Sequence, residues 1–246
     1  MQLSDFQLRK RATSLALSAG LLSICTGLAW GQSATEKADS TSTASKLASK
    51  TEAKITKILV LGDSLSAEYG LKRGTGWVAL LQSELDQGKL PLTKNNSAGR
   101  PKYLIQNASI SGETTAGGRS RLPELLSRFQ PNIVIVELGG NDALRGLDLA
   151  MTESNLREIT QQSIKSQARV LMLGMQIPPN FGKAYAEKFA SVFPKIAQSE
   201  KAELVPFFLE GIAEDLKFFQ GDRIHPSEAA QERLMRNVAK GLKALL

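Results

Sequence analysis

The sequence predicts an α/β protein, a three-layer α/β/α sandwich around a central parallel sheet of about five strands. Three observations predict it. Short apolar runs recur along the chain, each closed by a glycine or a polar cluster. Helical stripes lie between these runs, so strand and helix alternate. The runs are continuously apolar rather than alternating, the pattern of strands covered on both faces.

The first strand is Lys57-Ile58-Leu59-Val60-Leu61, ended by Gly62. The second, Tyr103-Leu104-Ile105, leads into Asn107-Ala108, and the third, Ile133-Val134-Ile135-Val136, into Glu137-Leu138-Gly139-Gly140. Val170-Leu171-Met172-Leu173 ends at Gly174, and Leu204-Val205-Pro206-Phe207 closes the set. Leu122, Leu125, Leu126 and Phe129 share one face of a helix. Tyr185, Phe189, Val192 and Ile196 form a second stripe, which Pro194 is expected to kink. Ala230, Leu234, Val238 and Leu242 form a third.

At 246 residues the chain has room for one well-buried domain. Hydrophobic content of 42% and charged content of 22% are ordinary for a globular protein. The net charge of +7 comes from scattered basic residues without a recognition motif, so no nucleic-acid partner is expected. Residues 1–31 read as a signal peptide: Arg9-Lys10-Arg11, an apolar stretch from Ala12 to Leu28, then Ala29-Trp30-Gly31. The stretch is short and Ser/Gly-rich for a membrane span, so cleavage is preferred over a retained anchor. Residues 32–54, rich in Ser, Thr, Ala and Lys, read as a disordered tether. The folded domain is then 55–246, in the periplasm or secreted. Cys25, the only cysteine, falls inside the signal, so the mature domain has no disulfide and no thiol nucleophile. One histidine rules out zinc sites built on several imidazoles, and no metal or cofactor is expected.

That histidine, His225, stands three residues after Asp222 in Gly-Asp-Arg-Ile-His-Pro, just before a helix-start signal. An Asp and a His on one loop supply the base and the anion that a serine nucleophile needs. Ser64, in Gly62-Asp63-Ser64-Leu65, follows the first strand at a sharp turn; an N-cap serine is the plainer alternative. Gly112, after the second strand, offers a backbone N–H unobstructed by a side chain, or simply makes a turn. Asn141, after the third strand, offers an amide N–H that stabilises negative charge without losing a proton, and its alternative is an Asn-Asp turn. Asp142 can cap the following helix rather than act in chemistry, and a two-carboxylate mechanism pairing Glu137 or Glu113 with Asp142 is an alternative that no spacing singles out.

In these four blocks the sequence resembles the SGNH, or GDSL, hydrolases, from about Ile55 to the C-terminus. It is most similar to the bacterial periplasmic acyl-CoA thioesterase/lysophospholipase and arylesterase branch. Ser64-Leu65-Ser66-Ala67, Leu138 through Gly146, and Met175 through Asn180 carry that likeness. Two departures stand out: Arg223, where relatives often have Gly, and a longer stretch from Gln87 to Lys102. The resemblance implies a flavodoxin-like sheet and a serine esterase or thioesterase that works without a cofactor. Its triad would be Ser64, His225 and Asp222, and its oxyanion hole the N–H groups of Ser64 and Gly112 with the Asn141 side chain. Ile110, Leu144, Arg145, Ile177 and Pro178 are expected to line the substrate site. A carbohydrate O-acetyl esterase and a non-catalytic ligand-binding module are the alternatives on this fold. The expected partner is a small acyl ester, thioester or lysophospholipid, met by a monomer with at most transient membrane-surface contact.

Overall fold

Five strands form one parallel sheet in the order β2-β1-β3-β4-β5: β1 (Ile55–Gly62), β2 (Lys102–Asn107), β3 (Ile133–Glu137), β4 (Arg169–Leu173) and β5 (Glu203–Val205). The computed structural model describes residues 55–90 and 102–246. The signal peptide and tether expected over 1–54, and most of the long stretch after Gln87, lie outside the described residues. Central strands are buried along their length, as their continuous apolar runs require: every residue of β3, and Ile58 to Leu61 of β1, is at most 1% exposed.

Helices cover both faces. On one side α2 (Thr115–Phe129) packs on α4 (Leu149–Lys165), and α4 on α5 (Lys183–Glu200); on the other, α1 (Trp77–Gln87) packs on α6 (Glu228–Leu242). A short α3 (Gly140–Leu144) follows β3. The three expected stripes lie in α2, α5 and α6, and all four stripe residues of α6 are buried. Helix α5 runs on through Pro194. Two helices were not anticipated. The stripe of α1 is Trp77, Val78, Leu81 and Leu85, and that of α4 mixes Leu149, Leu156 and Ile159 with buried Thr152, Asn155, Thr160 and Ser163. From α1, Gln82 takes the Ile105 N–H at 2.8 Å and donates to the Tyr103 carbonyl at 3.2 Å, covering the outer edge of β2.

In this strand order the direction of winding reverses between β1 and β3. The crevice beyond the carboxyl ends of those strands is where such sheets place a site. Ser64, Gly112 and Asn141 follow β1, β2 and β3 respectively, so the topology alone brings the three blocks to one end of the sheet.

Candidate active site

Ser64 opens a tight turn. The Asp63 carbonyl accepts from the N–H groups of Ser66 at 3.3 Å and Ala67 at 2.9 Å, while the Asp63 carboxylate takes the Leu65 N–H at 3.0 Å. Asp63 therefore caps the turn, the role sequence reasoning had offered to Ser64. Ser64 is left half-buried with its hydroxyl 2.9 Å from His225 Nε2. His225 Nδ1 lies 2.7 Å from Asp222 Oδ2. With Nδ1 donating to the carboxylate, Nε2 is the acceptor that faces the Ser64 hydroxyl.

Asp222 is held by its own loop: Oδ1 accepts from the N–H groups of Ile224 at 2.9 Å and His225 at 3.0 Å. The His225 N–H, the imidazole and the Ile224 N–H lower its pKa to about 2, so it stays ionised. Arg223 sits between them with φ 59°, a left-handed conformation that glycine adopts without strain. The Tyr69 ring tilts over the imidazole, with centroids 4.3 Å apart, and Gln220 ties the Tyr69 carbonyl to this loop at 2.8 Å. Neither residue belongs to the motif blocks, and nothing in their local sequence marked them.

Gly112 is the third residue of a turn closed by the Glu113 N–H on the Ile110 carbonyl at 3.1 Å, with φ 80°. A positive φ at that place calls for glycine. Its two readings thus coincide, because among the described residues the N–H groups of both Gly112 and Ser64 have no partner. Asn141 lies in the first turn of α3 and donates Nδ2–H to Asp63 Oδ2 at 3.0 Å. Asp142 neither reacts nor caps α3. Buried, it takes the Thr115 N–H at 2.9 Å and the Thr115 hydroxyl, fastening α2 to α3.

Ile110, Leu144, Leu147 and Phe181, in the segments that follow β2, β3 and β4, are exposed. Pro178 is also exposed, but Ile177 is buried in the core, which corrects its place on the rim: it follows β4 and packs inward. Arg145 donates to the Gly112 carbonyl at 3.0 Å and so braces the turn carrying one of the free N–H groups.

The profile described as the GDSL-like lipase/acylhydrolase family matches residues 60–233. The chain belongs to that family. This GDSL hydrolase is 48% identical to esterase TesA of Pseudomonas aeruginosa over 190 residues, 77% of its own length and 89% of that protein's. It is 39% identical to thioesterase 1/protease 1/lysophospholipase L1 of Escherichia coli over 189 residues, 77% of this chain and 84% of that one. Among solved structures, the psychrotrophic esterase EstA from Pseudoalteromonas, inhibited by monoethylphosphonate, superposes with a TM-score of 0.69 at 36% identity, covering 77% of this hydrolase and 97% of EstA.

Proposed function

We propose that this chain is a serine hydrolase that cleaves carboxylic esters and thioesters of acyl or aryl groups through an acyl-enzyme. The observation that carries the reading is the relay from Asp222 through His225 to Ser64, at 2.7 and 2.9 Å, beside two free backbone N–H groups. Ser64 Oγ attacks the acyl carbonyl as His225 Nε2 takes its proton, and Asp222 stabilises the imidazolium. The N–H groups of Ser64 and Gly112 and the second N–H of Asn141 receive the oxyanion. The intermediate collapses, and His225 returns the proton to the departing alcohol or thiol. Water, deprotonated by the same imidazole, then frees the acid from Ser64.

The exposed apolar residues Ile110, Leu144 and Phe181 favour acyl or aryl substrates over acetylated glycans. Residues 1–31 are proposed to direct export and 32–54 to tether the domain. Among the described residues no helix is long and apolar enough to cross a membrane.

A p-nitrophenyl ester series from acetyl to palmitoyl tests the reading. Turnover is expected, and Ser64→Ala or His225→Ala should lower kcat by roughly four orders of magnitude with the fold intact. Activity within tenfold of the parent in either variant would overturn the triad. Preference for acetylated glycans over every acyl ester would move the function to a carbohydrate esterase.

A further inference from the structure

Beneath the nucleophile lie two acidic side chains that the reaction above does not use. Strand register sets Glu137 beside Gly62, and Asp63 follows directly. A Cβ at position 62 would stand 2.8 Å from Glu137 Oε2 and 2.8 Å from Ser66 Oγ. Only glycine leaves space there for the Glu137 carboxyl under the turn. Glu137 is fully buried and Asp63 is 2% exposed, and the Asp63 N–H donates to Glu137 Oε2 at 3.2 Å.

The groups around this pair decide its charge. Ser66 donates its hydroxyl to Glu137 Oε2 at 2.7 Å, the Asp63 N–H reaches the same oxygen at 3.2 Å, and Ser109 Oγ lies beside Gly62. Asp63 takes the Leu65 N–H and the Asn141 amide. The titratable side chain that faces them is His225, across the turn. No lysine or arginine reaches the pair among the described residues. Two adjacent carboxylates out of water, without a cation between them, cannot both readily remain ionised.

Their hydrogen bonds also say which one holds the proton. Both Asp63 oxygens are met by N–H donors, which favours its charged form. Glu137 Oε1 is buried with no donor at all, so a charge there would be unsolvated. Burial and the Asp63 charge push the Glu137 pKa well up.

The charge on Asp63 then has a task. An amide is planar, so fixing one N–H of Asn141 on Asp63 Oδ2 fixes the direction of the other. The same carboxylate caps the Ser64 turn through Leu65. A second negative charge from Glu137 would sit under the site where the oxyanion forms and oppose it.

We propose that Glu137 is held as a neutral acid that donates to an ionised Asp63, and that Asp63, through this one-proton pair, orients the Asn141 amide and the Ser64 turn for oxyanion binding. Both are positioning residues. Their effect on turnover rests on the esterase reading, whereas the shared proton does not.

Infrared difference spectra of the whole protein at neutral pH test the proton directly. A protonated carboxyl C=O stretch, shifted by deuterium, is expected in the parent and in Ser64→Ala and lost in Glu137→Gln. Its absence from the parent, or its persistence in Glu137→Gln, overturns the assignment. In ester hydrolysis, Asp63→Asn should lower kcat about a hundredfold with KM nearly unchanged, the loss typical of one oxyanion donor. Glu137→Ala should lower kcat, and Glu137→Gln, which keeps a neutral donor, should restore most of it. Turnover of Asp63→Asn within threefold of the parent, or Glu137→Gln as poor as Glu137→Ala, overturns the positioning role. If the parent itself cleaves no ester, the esterase reading fails while the infrared band still decides the proton.

Discussion

Asn141 spends half of its amide inside the protein: one N–H goes to Asp63 Oδ2 at 3.0 Å, and the other is the one proposed to meet the oxyanion. A donor placed in this way is used more in the transition state than in the ground state, because only the tetrahedral oxygen carries full charge. Asn141→Ala should therefore lower kcat about a hundredfold and change KM little, as steady-state kinetics on a p-nitrophenyl ester would show. A rise in KM alone would make Asn141 a substrate contact instead. Ser64, Gly112, Asn141, Asp222 and His225 could be proposed from sequence because each lies in a short motif whose chemistry is local. The pairing of Asp63 with Glu137 was not, since 74 residues separate them and only the register of β1 on β3 brings them together. Ile177 was misplaced for a related reason. An apolar residue after a strand can face rim or core, and only packing decides which.

The elements that carry the proposed oxyanion donors are tied to each other by a polar network. Asp142 in α3 takes both the N–H and the hydroxyl of Thr115 at the start of α2, and Thr115 Oγ1 accepts from Asn155 of α4 at 3.0 Å. The Gly112 turn feeds α2 and Asn141 stands beside Asp142, so this network spaces the two donors. Asp142→Ala would strand the buried N–H and hydroxyl of Thr115, with a stability loss of about 2–3 kcal/mol. Turnover should fall by roughly tenfold or more as the donors drift, since small misplacements are costly in a preorganised site. Thermal unfolding and kcat measured on the same variant check both; a destabilised protein with parental kcat would separate the network from catalysis. The same polar side chains explain why α4 was not read from the sequence. Thr152, Asn155, Thr160 and Ser163 occupy its buried face, so its apolar stripe is interrupted where the helix is in fact inside. The α1 stripe of Trp77, Val78, Leu81 and Leu85 was available and shows that the pattern remains informative where burial is apolar.

For the whole molecule, these carboxyl groups oppose one another in the dependence of stability on pH. Asp222 is depressed to about 2 from an ordinary 3.8, so its contribution is present above the ordinary value and lost as pH falls through about 2. That contribution is small, because the group is more than a third exposed. Asp63 and Glu137 act in the other direction. Burial raises Asp63 to about 6 and Glu137 well above its ordinary 4.5. The folded state binds these protons more tightly than the unfolded chain, so stability is greatest below the ordinary values and falls as pH rises through the folded ones. Glu137→Gln removes one of the two titrations while keeping the shape of the side chain. Below about pH 4 parent and variant are both neutral at this position, and their melting temperatures should differ little with pH. Above it the variant should gain on the parent, at up to about 1.4 kcal/mol per pH unit until Glu137 ionises in the folded state. Melting curves of both proteins from about pH 4 to about pH 8 check the sign. A constant difference across that range would mean that Glu137 titrates alike in the folded and unfolded chains, and that the fold bears no cost for the acid it buries beneath its nucleophile.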